Sequence, residues 1–275
     1  MSKSWQEWVT ENLDRKCDPI GIVEILLKNQ FSLSAIQHMM QDSFPEGLDE
    51  KSLQVNKIDY LSLAQKPVQA LEKAGAEAIK TEKLQLFVLP KFLETVECQE
   101  IIKKIDQGLR PSTVTTHVYG YRTSQTCDLA LLSDPSIKDL DYKIGQTLGL
   151  NLSYSEGIQG QKYSVKQEFK AHWDYFEPGT QDYANFASIK GNRTWTFMVY
   201  LNEDLQGGGT HFPFIQKTIH PKIGDAVIWN NLDQYGIPNK NTMHAGLPVE
   251  SGEKFIITKW FREKGIGSSW SKVLV

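Results

Sequence analysis

His172 and Asp174 stand two residues apart in FKAHWDYF, and His244 follows much later in the turn-rich stretch PNKNTMHAGLP. On an extended strand, residues i and i+2 project to the same face, so an imidazole and a carboxylate at this spacing point together. His244, just before a strand-like run, is the best candidate for a third ligand. Two histidines and one carboxylate on one face of an octahedral metal leave three positions open, an arrangement suited to ferrous iron and O2. A chelating 2-oxo acid fills two of these positions and dioxygen the third, provided a cation waits for the acid's distal carboxylate. Lys254, on the strand-like run after His244, supplies that cation. A lone His-x-Asp pair is weak evidence, since such pairs arise by chance. The order strengthens it: the pair opens a strand-rich region and His244 and Lys254 lie near its end, as a barrel joining first and last strands requires.

The elements that must position these residues give an α+β chain. Trp5, Trp8, Val9 and Leu13 have helical spacing, and Asp18-Pro19 reads as an N-cap with proline at the first helical position. Ile22, Val23, Leu26 and Leu27 form the apolar face of that second helix. Ser32 or Ser34 can cap a third helix carrying Ala35, Ile36, Met39 and Met40. Residues 1–43 therefore read as a small helical unit. Residues 44–83 read as a linker, SFPEGLDEKS, and a helical pattern around 64–80, and residues 84–275 as the main domain. In that domain LQLFVLP reads as a strand, and FLETVECQEIIKKIDQGL and SIKDLDYKIGQTLGL as helices. Then RTWTFMVYLN, GTHFPF, DAVIWNN and KFIITKWFRE read as strands of an antiparallel sandwich or barrel, with helices buttressing it.

Composition narrows the classes. The chain has 275 residues, 40% hydrophobic content and a formal net charge of -3, enough for a substantial core but no basic surplus to favour nucleic acid or an anionic membrane. The N-terminus lacks the apolar stretch of a signal peptide, and no run of 18 apolar residues occurs, so a cytoplasmic protein is expected. Cys17, Cys98 and Cys127 are widely separated and read as reduced thiols. Gly207, Gly208 and Gly209 read as a tight turn between strands, and His211 and His220 as structural or solvent-facing rather than ligands. Hydrolysis at another divalent metal lacks a further acid or base beside the three ligands.

Over residues 85–263 the chain resembles the prolyl 4-hydroxylase branch of the 2-oxoglutarate and Fe(II) oxygenases. The resemblance runs in order through VLPKFLETVECQEII, YRTSQTCDL, QKYSVKQEFKAHWDYF, NRTWTFMVYLNEDLQGGGTHF, IGDAVIWNN and HAGLPVESGEKFIITKWF. It implies a double-stranded β-helix (jelly-roll) core, iron on His172, Asp174 and His244, and 2-oxoglutarate on Lys254, Tyr163 and Thr210. Lys254 would pair with the distal carboxylate, with Tyr163 and Thr210 hydrogen-bonding to it. The implied activity is that of a dioxygenase that consumes O2 and 2-oxoglutarate, releases succinate and CO2, and hydroxylates an unactivated C–H, with ascorbate as reductant. Asp174 is intact where halogenating relatives carry a small residue, which favours hydroxylation.

Arg193 and Trp260 match positions that line the family's peptide groove. Phe169 stands where a tyrosine is usual, and Arg262 where many members carry histidine, so peptidyl proline does not follow from the resemblance. A missing phenol removes a donor that would discriminate among substrates. The expected substrate is a peptide or protein residue, or a free amino-acid-like small molecule, with a slight lean to peptide. EPGTQDYANFASIKGN reads as a lid over the iron, with Tyr183 and Phe186 either stacking on substrate or anchoring the loop. The helical unit, unnecessary for iron chemistry, offers a dock for a carrier, a leader segment or a substrate protein. The alternative is a catalytically silent module that senses 2-oxoglutarate or iron, although such a module has no chemical need for an open-sided triad.

Overall fold

The computed structural model describes residues 4–49, 58–112 and 122–265. The end of the linker reading (50–52), Tyr121 of the resembling blocks and the last residues of the main domain (266–275) lie outside the described residues.

Three capped helices begin the chain. Ser4 and Glu7 form a reciprocal capping box at α1 (Trp5–Asp14), and the Asp18 carboxylate accepts from Ile20 and Gly21 at the start of α2 (Pro19–Lys28). Of the two candidate serines, Ser32 caps α3 (Leu33–Met40), accepting from the Ala35 amide. These helices share an apolar cluster of Val9, Ile22, Val23, Leu26, Phe31, Ile36 and Met39, joined by Trp5 and Trp8. The next helix, α4 (Tyr60–Lys73), stops short of the expected 64–80 pattern, because Gly75 takes φ +83 in the left-handed region that ends helices. Leu71 of α4 joins the main core, together with apolar residues of α5 (Thr95–Gln107) and α6 (Pro135–Leu148).

Fourteen short strands are described: β1 (Glu77–Ala78), β2 (Leu86–Leu89), β3 (Arg110–Pro111), β4 (Gln125–Asp128), β5 (Gln159–Tyr163), β6 (Phe169–His172), β7 (Arg193–Tyr200), β8 (Gln206–Gly207), β9 (Thr210–Phe212), β10 (Lys217–Ile219), β11 (Ala226–Asn230), β12 (His244–Gly246), β13 (Val249–Ser251) and β14 (Lys254–Arg262). The larger sheet runs β1-β2-β11-β7-β14-β5-β4-β3, and a smaller one runs β10-β9-β12-β6, with a β13-β8 pair beside them. Every pairing between them is antiparallel.

The period of two sorts the larger sheet's side chains into two layers. On β7, Trp195, Phe197 and Val199 pack against the helices, as do Phe255, Ile257 and Phe261 of β14. The opposite face carries Met198 and Tyr200 of β7, Trp229 of β11 and Ile256 of β14, in the cluster that also holds Phe212 of the smaller sheet. Each large apolar side chain buried this way contributes about 1.5–3 kcal/mol. One charged residue interrupts the helix-facing layer. Lys259 of β14 pairs, fully buried, with Asp141 of α6, and its Nζ also donates to Ser155 Oγ (2.9 Å) and the Glu156 carbonyl (2.7 Å).

Candidate metal centre and co-substrate pocket

β6 and β12 build the first part of the centre. They pair antiparallel with His172 directly opposite His244, so two imidazoles from distant sequence meet by register alone. β6 ends at His172, which means Asp174 lies just past the strand rather than on it. The expected geometry is corrected in that detail: a bend, not strand alternation, turns the carboxylate towards the histidines. Asp174 Oδ1 lies 3.8 Å from His172 Nε2, and Oδ2 lies 3.9 Å from His244 Nε2. One donor atom from each of the three residues falls within 4.8 Å of the others. Cis ligands of an octahedral ion with bonds of about 2.1 Å sit about 3 Å apart, so this donor set fits a divalent ion after a small contraction.

The surroundings prepare the donors. His172 Nδ1 donates to the Lys170 carbonyl (2.7 Å) and His244 Nδ1 to the Thr242 carbonyl (2.9 Å), leaving each Nε2 lone pair for a metal. Burial and then the neighbouring His244 push the His172 pKa down to about 3, so the ring is neutral near pH 7. For Asp174, burial alone would raise the pKa, yet His244, His172, Arg193 and the Thr196 hydroxyl together hold it below the ordinary value and keep the carboxylate ionised. Thr196 Oγ1 donates to Asp174 Oδ2 (2.7 Å) and accepts from Asn231 Nδ2 (2.9 Å), while Trp229 Nε1 donates to Asn231 Oδ1 (3.0 Å). The Trp173 indole donates to the Lys240 carbonyl (2.9 Å), tying the His172–Asp174 segment to the turn before His244. Phe169 stacks on the His172 ring, centroids 3.5 Å apart and planes 17° from parallel.

Thr196 carries a prediction. Thr196→Val keeps the shape but removes the hydroxyl that orients Asp174, and the affinity for Fe(II) or Mn(II), read by calorimetry, is expected to fall roughly 10–100-fold with the fold retained.

A cavity runs from these donors into the barrel, and its wall includes Tyr163, Met198, Thr210, Trp229, Lys254 and Ile256. Lys254 is 2% exposed and forms no ion pair among the described residues. Burial alone pushes its pKa down to about 7. Its ammonium lies 5.1 Å from the Tyr163 ring centroid and 5.4 Å from that of Tyr200, and Lys254 pairs with Tyr163 across β14 and β5. Thr210 Oγ1 is hydrogen-bonded to Tyr200 OH (2.7 Å), which donates in turn to the Ile219 carbonyl. Gly208, at φ +65, leaves room for the lysine stem: a Cβ there would sit 3.2 Å from Lys254 Cδ. The glycine run is thus a turn between β8 and β9. A buried cation without a carboxylate, in a cavity that also receives three metal-type donors, fits an anionic chelating co-substrate.

The substrate-side expectations divide. Phe169 and Trp260 line the cavity, and Trp260 Nε1 is a buried donor with no acceptor among the described residues. Arg193 and Arg262 do not line it. Arg193 forks onto Glu156 (2.6 and 2.9 Å) and stacks 4.0 Å over the Trp260 ring, while Arg262 lies 2.7 Å from Glu156 and donates to the Gly191 carbonyl (2.9 Å). Burial would raise the Glu156 pKa, but the two guanidiniums lower it below the ordinary value. Tyr183, on the short helix α7 (Gln181–Phe186), is buried with Phe176 and Ala187, which makes it a loop anchor, and Phe186 stacks on Phe176. His211 bonds Thr218 on the neighbouring strand and is not in the metal cluster. The described cysteines are free thiols.

Sequence reasoning missed Thr196, Asn231, Glu156 and Arg122. Thr196 was findable, with Thr194, as one of two small polar residues on the inward parity of RTWTFMVY, and Arg122, which lines the cavity and stacks 4.8 Å over Phe169, lies in a block already singled out. Glu156 sits in a loop, where no periodicity announces a side chain's direction.

Sheet topology and site together give a double-stranded β-helix in which two histidines and one carboxylate are placed to hold a metal ion. Residues 158–262 match the family described as the 2OG-Fe(II) oxygenase superfamily. It is 32% identical over 174 residues to the prolyl 4-hydroxylase subunit alpha-1 of Mus musculus, covering 60% of this chain and 32% of that protein. It is also 32% identical over 155 residues to the prolyl 4-hydroxylase subunit alpha-2 of Gallus gallus, covering 56% of this chain and 28% of the relative. The chain thus spans about a third of the length of these curated relatives. Among solved structures, a viral collagen prolyl hydroxylase from Paramecium Bursaria Chlorella virus-1, in its 2OG complex, superposes with a TM-score of 0.52 at 26% identity. That match covers 64% of this chain and 95% of the viral one.

Proposed function

We propose that this protein is a cytoplasmic Fe(II)- and 2-oxoglutarate-dependent hydroxylase acting on an unactivated C–H of a peptide or protein residue, or of an amino-acid-like small molecule. The observation that carries the reading is the shared cavity of the His172, Asp174 and His244 donors and the buried, carboxylate-free Lys254. Ferrous iron held by the three donors supplies, with O2 and 2-oxoglutarate, the oxidation of the C–H bond, leaving succinate and CO2. The chain's own residues do the rest. Both Nε2 atoms and the Asp174 carboxylate bind the ion, and Thr196 fixes the carboxylate's orientation. Lys254 takes the distal carboxylate of 2-oxoglutarate, with Tyr163 and Thr210 as hydrogen-bonding partners. Met198, Trp229, Phe212 and Ile256 exclude water from that end, which strengthens the ion pair.

On the substrate side, Trp260 offers its free indole N–H and Phe169 an apolar wall. Arg193 and Arg262, held by Glu156, keep Trp260 and the Phe176 side of the loop in place. The likeness to prolyl 4-hydroxylase subunits supports a peptide substrate, and Phe169 supports a pocket with one polar contact fewer. Ascorbate serves as the reductant, and no nucleic acid or membrane partner is proposed. Residues 84–275 form the catalytic unit in this reading, and residues 1–43 a separate helical unit.

The test is succinate formation from 2-oxoglutarate by the purified protein under air with Fe(II) and ascorbate, in the presence of proline-rich peptides and an amino-acid panel. Iron-dependent succinate, stimulated by one panel member, is the expected result and names the substrate. Absence of both succinate and iron-dependent 2-oxoglutarate binding overturns the reading.

A further inference from the structure

Two loops border the metal centre beyond the strands: residues 173–192, between β6 and β7, and residues 231–243, between β11 and β12. The first contains Asp174 and the Phe176–Phe186 stack, and leads into Arg193. The second contains Asn231 and Lys240, whose carbonyl accepts from Trp173, and leads into His244. Helices α1–α3 touch both, although their residues lie outside the cavity wall and outside the family match.

The contacts are specific in kind. The Trp5 indole donates to the Pro178 carbonyl at 3.3 Å. Gly179, next along, takes φ +80, which favours glycine, and lies close against the helices: a Cβ there would fall 2.4 Å from Asn29 Oδ1 and 3.1 Å from the Trp5 ring. On the second loop, Ser32 Oγ donates to the Tyr235 carbonyl at 3.0 Å, and the His38 ring stacks on the Tyr235 ring with centroids 3.9 Å apart and planes at 15°. Ile237 packs into the apolar cluster of the three helices. One helical unit with its own core therefore grips two loops that are far apart in sequence, the first of which carries Asp174 to the cavity while the second leads into His244.

We propose that α1–α3 are a positioning element of the oxygenase site, holding the 173–192 and 231–243 loops in one arrangement and thereby setting substrate affinity without touching metal or 2-oxoglutarate. Trp5, Ser32 and His38 are its positioning residues. The substrate part of the inference rests on the hydroxylase reading above; the loop-holding part does not. The helices act by removing the loops' alternative conformations, an ordering that a substrate would otherwise have to impose on binding.

The test uses the full chain carrying Trp5→Phe, Ser32→Ala and His38→Ala together, which deletes the Trp5 and Ser32 hydrogen bonds to the loops, the stack and the α3 N-cap, while leaving the buried cluster of Val9, Ile22, Val23, Leu26, Ile36 and Met39 unsubstituted. Amide hydrogen exchange is expected to quicken about tenfold or more in both loops, with β7 and β14 unchanged. Restoring the stack alone with His38→Phe is expected to return protection to 231–243 but not to 173–192. In turnover, KM for the peptide or amino acid that stimulates succinate formation is expected to rise about tenfold, with kcat and 2-oxoglutarate affinity within twofold of the parent. Unchanged exchange in both loops overturns the proposal, as does loosening that spreads equally to β7 and β14. Loosened loops with an unchanged substrate KM overturn it too. If the variant's α1–α3 themselves lose protection, the loops must follow, and loops that stay protected refute the idea. Because exchange is read without iron, 2-oxoglutarate or substrate, failure of the hydroxylase reading leaves this result distinguishable.

Discussion

Asp174→Ala is expected to abolish iron-dependent succinate formation, by far more than the 10–100-fold that follows loss of a supporting partner, while the protein remains folded. The size of the effect follows from where the carboxylate stands. It is the one anionic donor, set between two imidazoles whose Nδ1 atoms are committed to backbone carbonyls, and His172 is held deprotonated by burial. Removing it leaves two imidazole nitrogens and no anionic donor for a divalent cation, and a hydroxyl, Thr196, that can no longer orient anything. The fold loses little, because β6 and β12 still pair through His172 and His244, and the Asp174 side chain takes no part in that ladder. Calorimetry with Mn(II) separates this outcome from misfolding. The variant should show ordinary cooperative unfolding and no measurable metal binding. A variant that still binds Mn(II) with parental affinity would remove Asp174 from the ligand set and leave the centre unexplained.

Much of this site was legible because strand register and side-chain chemistry leave sequence traces. The His-x-Asp pair, a later histidine and a later lysine stand in the order that a closed antiparallel structure brings together, and the structure puts His172 across from His244 and Lys254 across from Tyr163. The long strands β7, β11 and β14 and the capped helices α1, α2 and α3 were legible for the same reason: β-branched and aromatic runs, and Ser or Asp at helix starts. The short strands escaped notice. β8, β10, β12 and β13 have two or three residues each, too few for a period of two to show. The bend that swings Asp174 inward, and the Glu156 clamp on Arg193 and Arg262, are loop features fixed by tertiary partners, so pattern alone did not place them. Arg193 and Arg262 show the consequence. Their resemblance to groove positions was readable, whereas their engagement by a half-buried carboxylate from another segment was not.

Lys254→Met is expected to weaken 2-oxoglutarate binding by about 2–5 kcal/mol, roughly thirtyfold to several-thousandfold, the usual loss when one partner of a buried charge pair is truncated. The same substitution is expected to make the free protein more stable near neutral pH. Both effects have one origin: in the free protein the ammonium is buried without a carboxylate, and burial holds its pKa down to about 7. The unfolded chain keeps lysine's ordinary pKa, so between pH 7 and about 10 the unfolded state binds more protons, and stability rises with pH. Below pH 7 both states are protonated and the full penalty applies. The parent should therefore gain stability from pH 7 to 10 relative to the methionine variant, whose advantage shrinks over the same range. Binding runs the other way. The distal carboxylate of 2-oxoglutarate favours the ammonium and raises its pKa in the complex, so above pH 7 each bound co-substrate must take up a proton. Affinity should then fall by up to about tenfold per pH unit in the parent, and lose that dependence in Lys254→Met. Thermal unfolding and calorimetric titration between pH 6 and pH 9 measure the two slopes on one pair of proteins. Opposite signs in the parent, both abolished by the substitution, identify Lys254 as the group that trades stability for co-substrate affinity, while a pH-independent affinity in the parent would show that the distal carboxylate is held elsewhere.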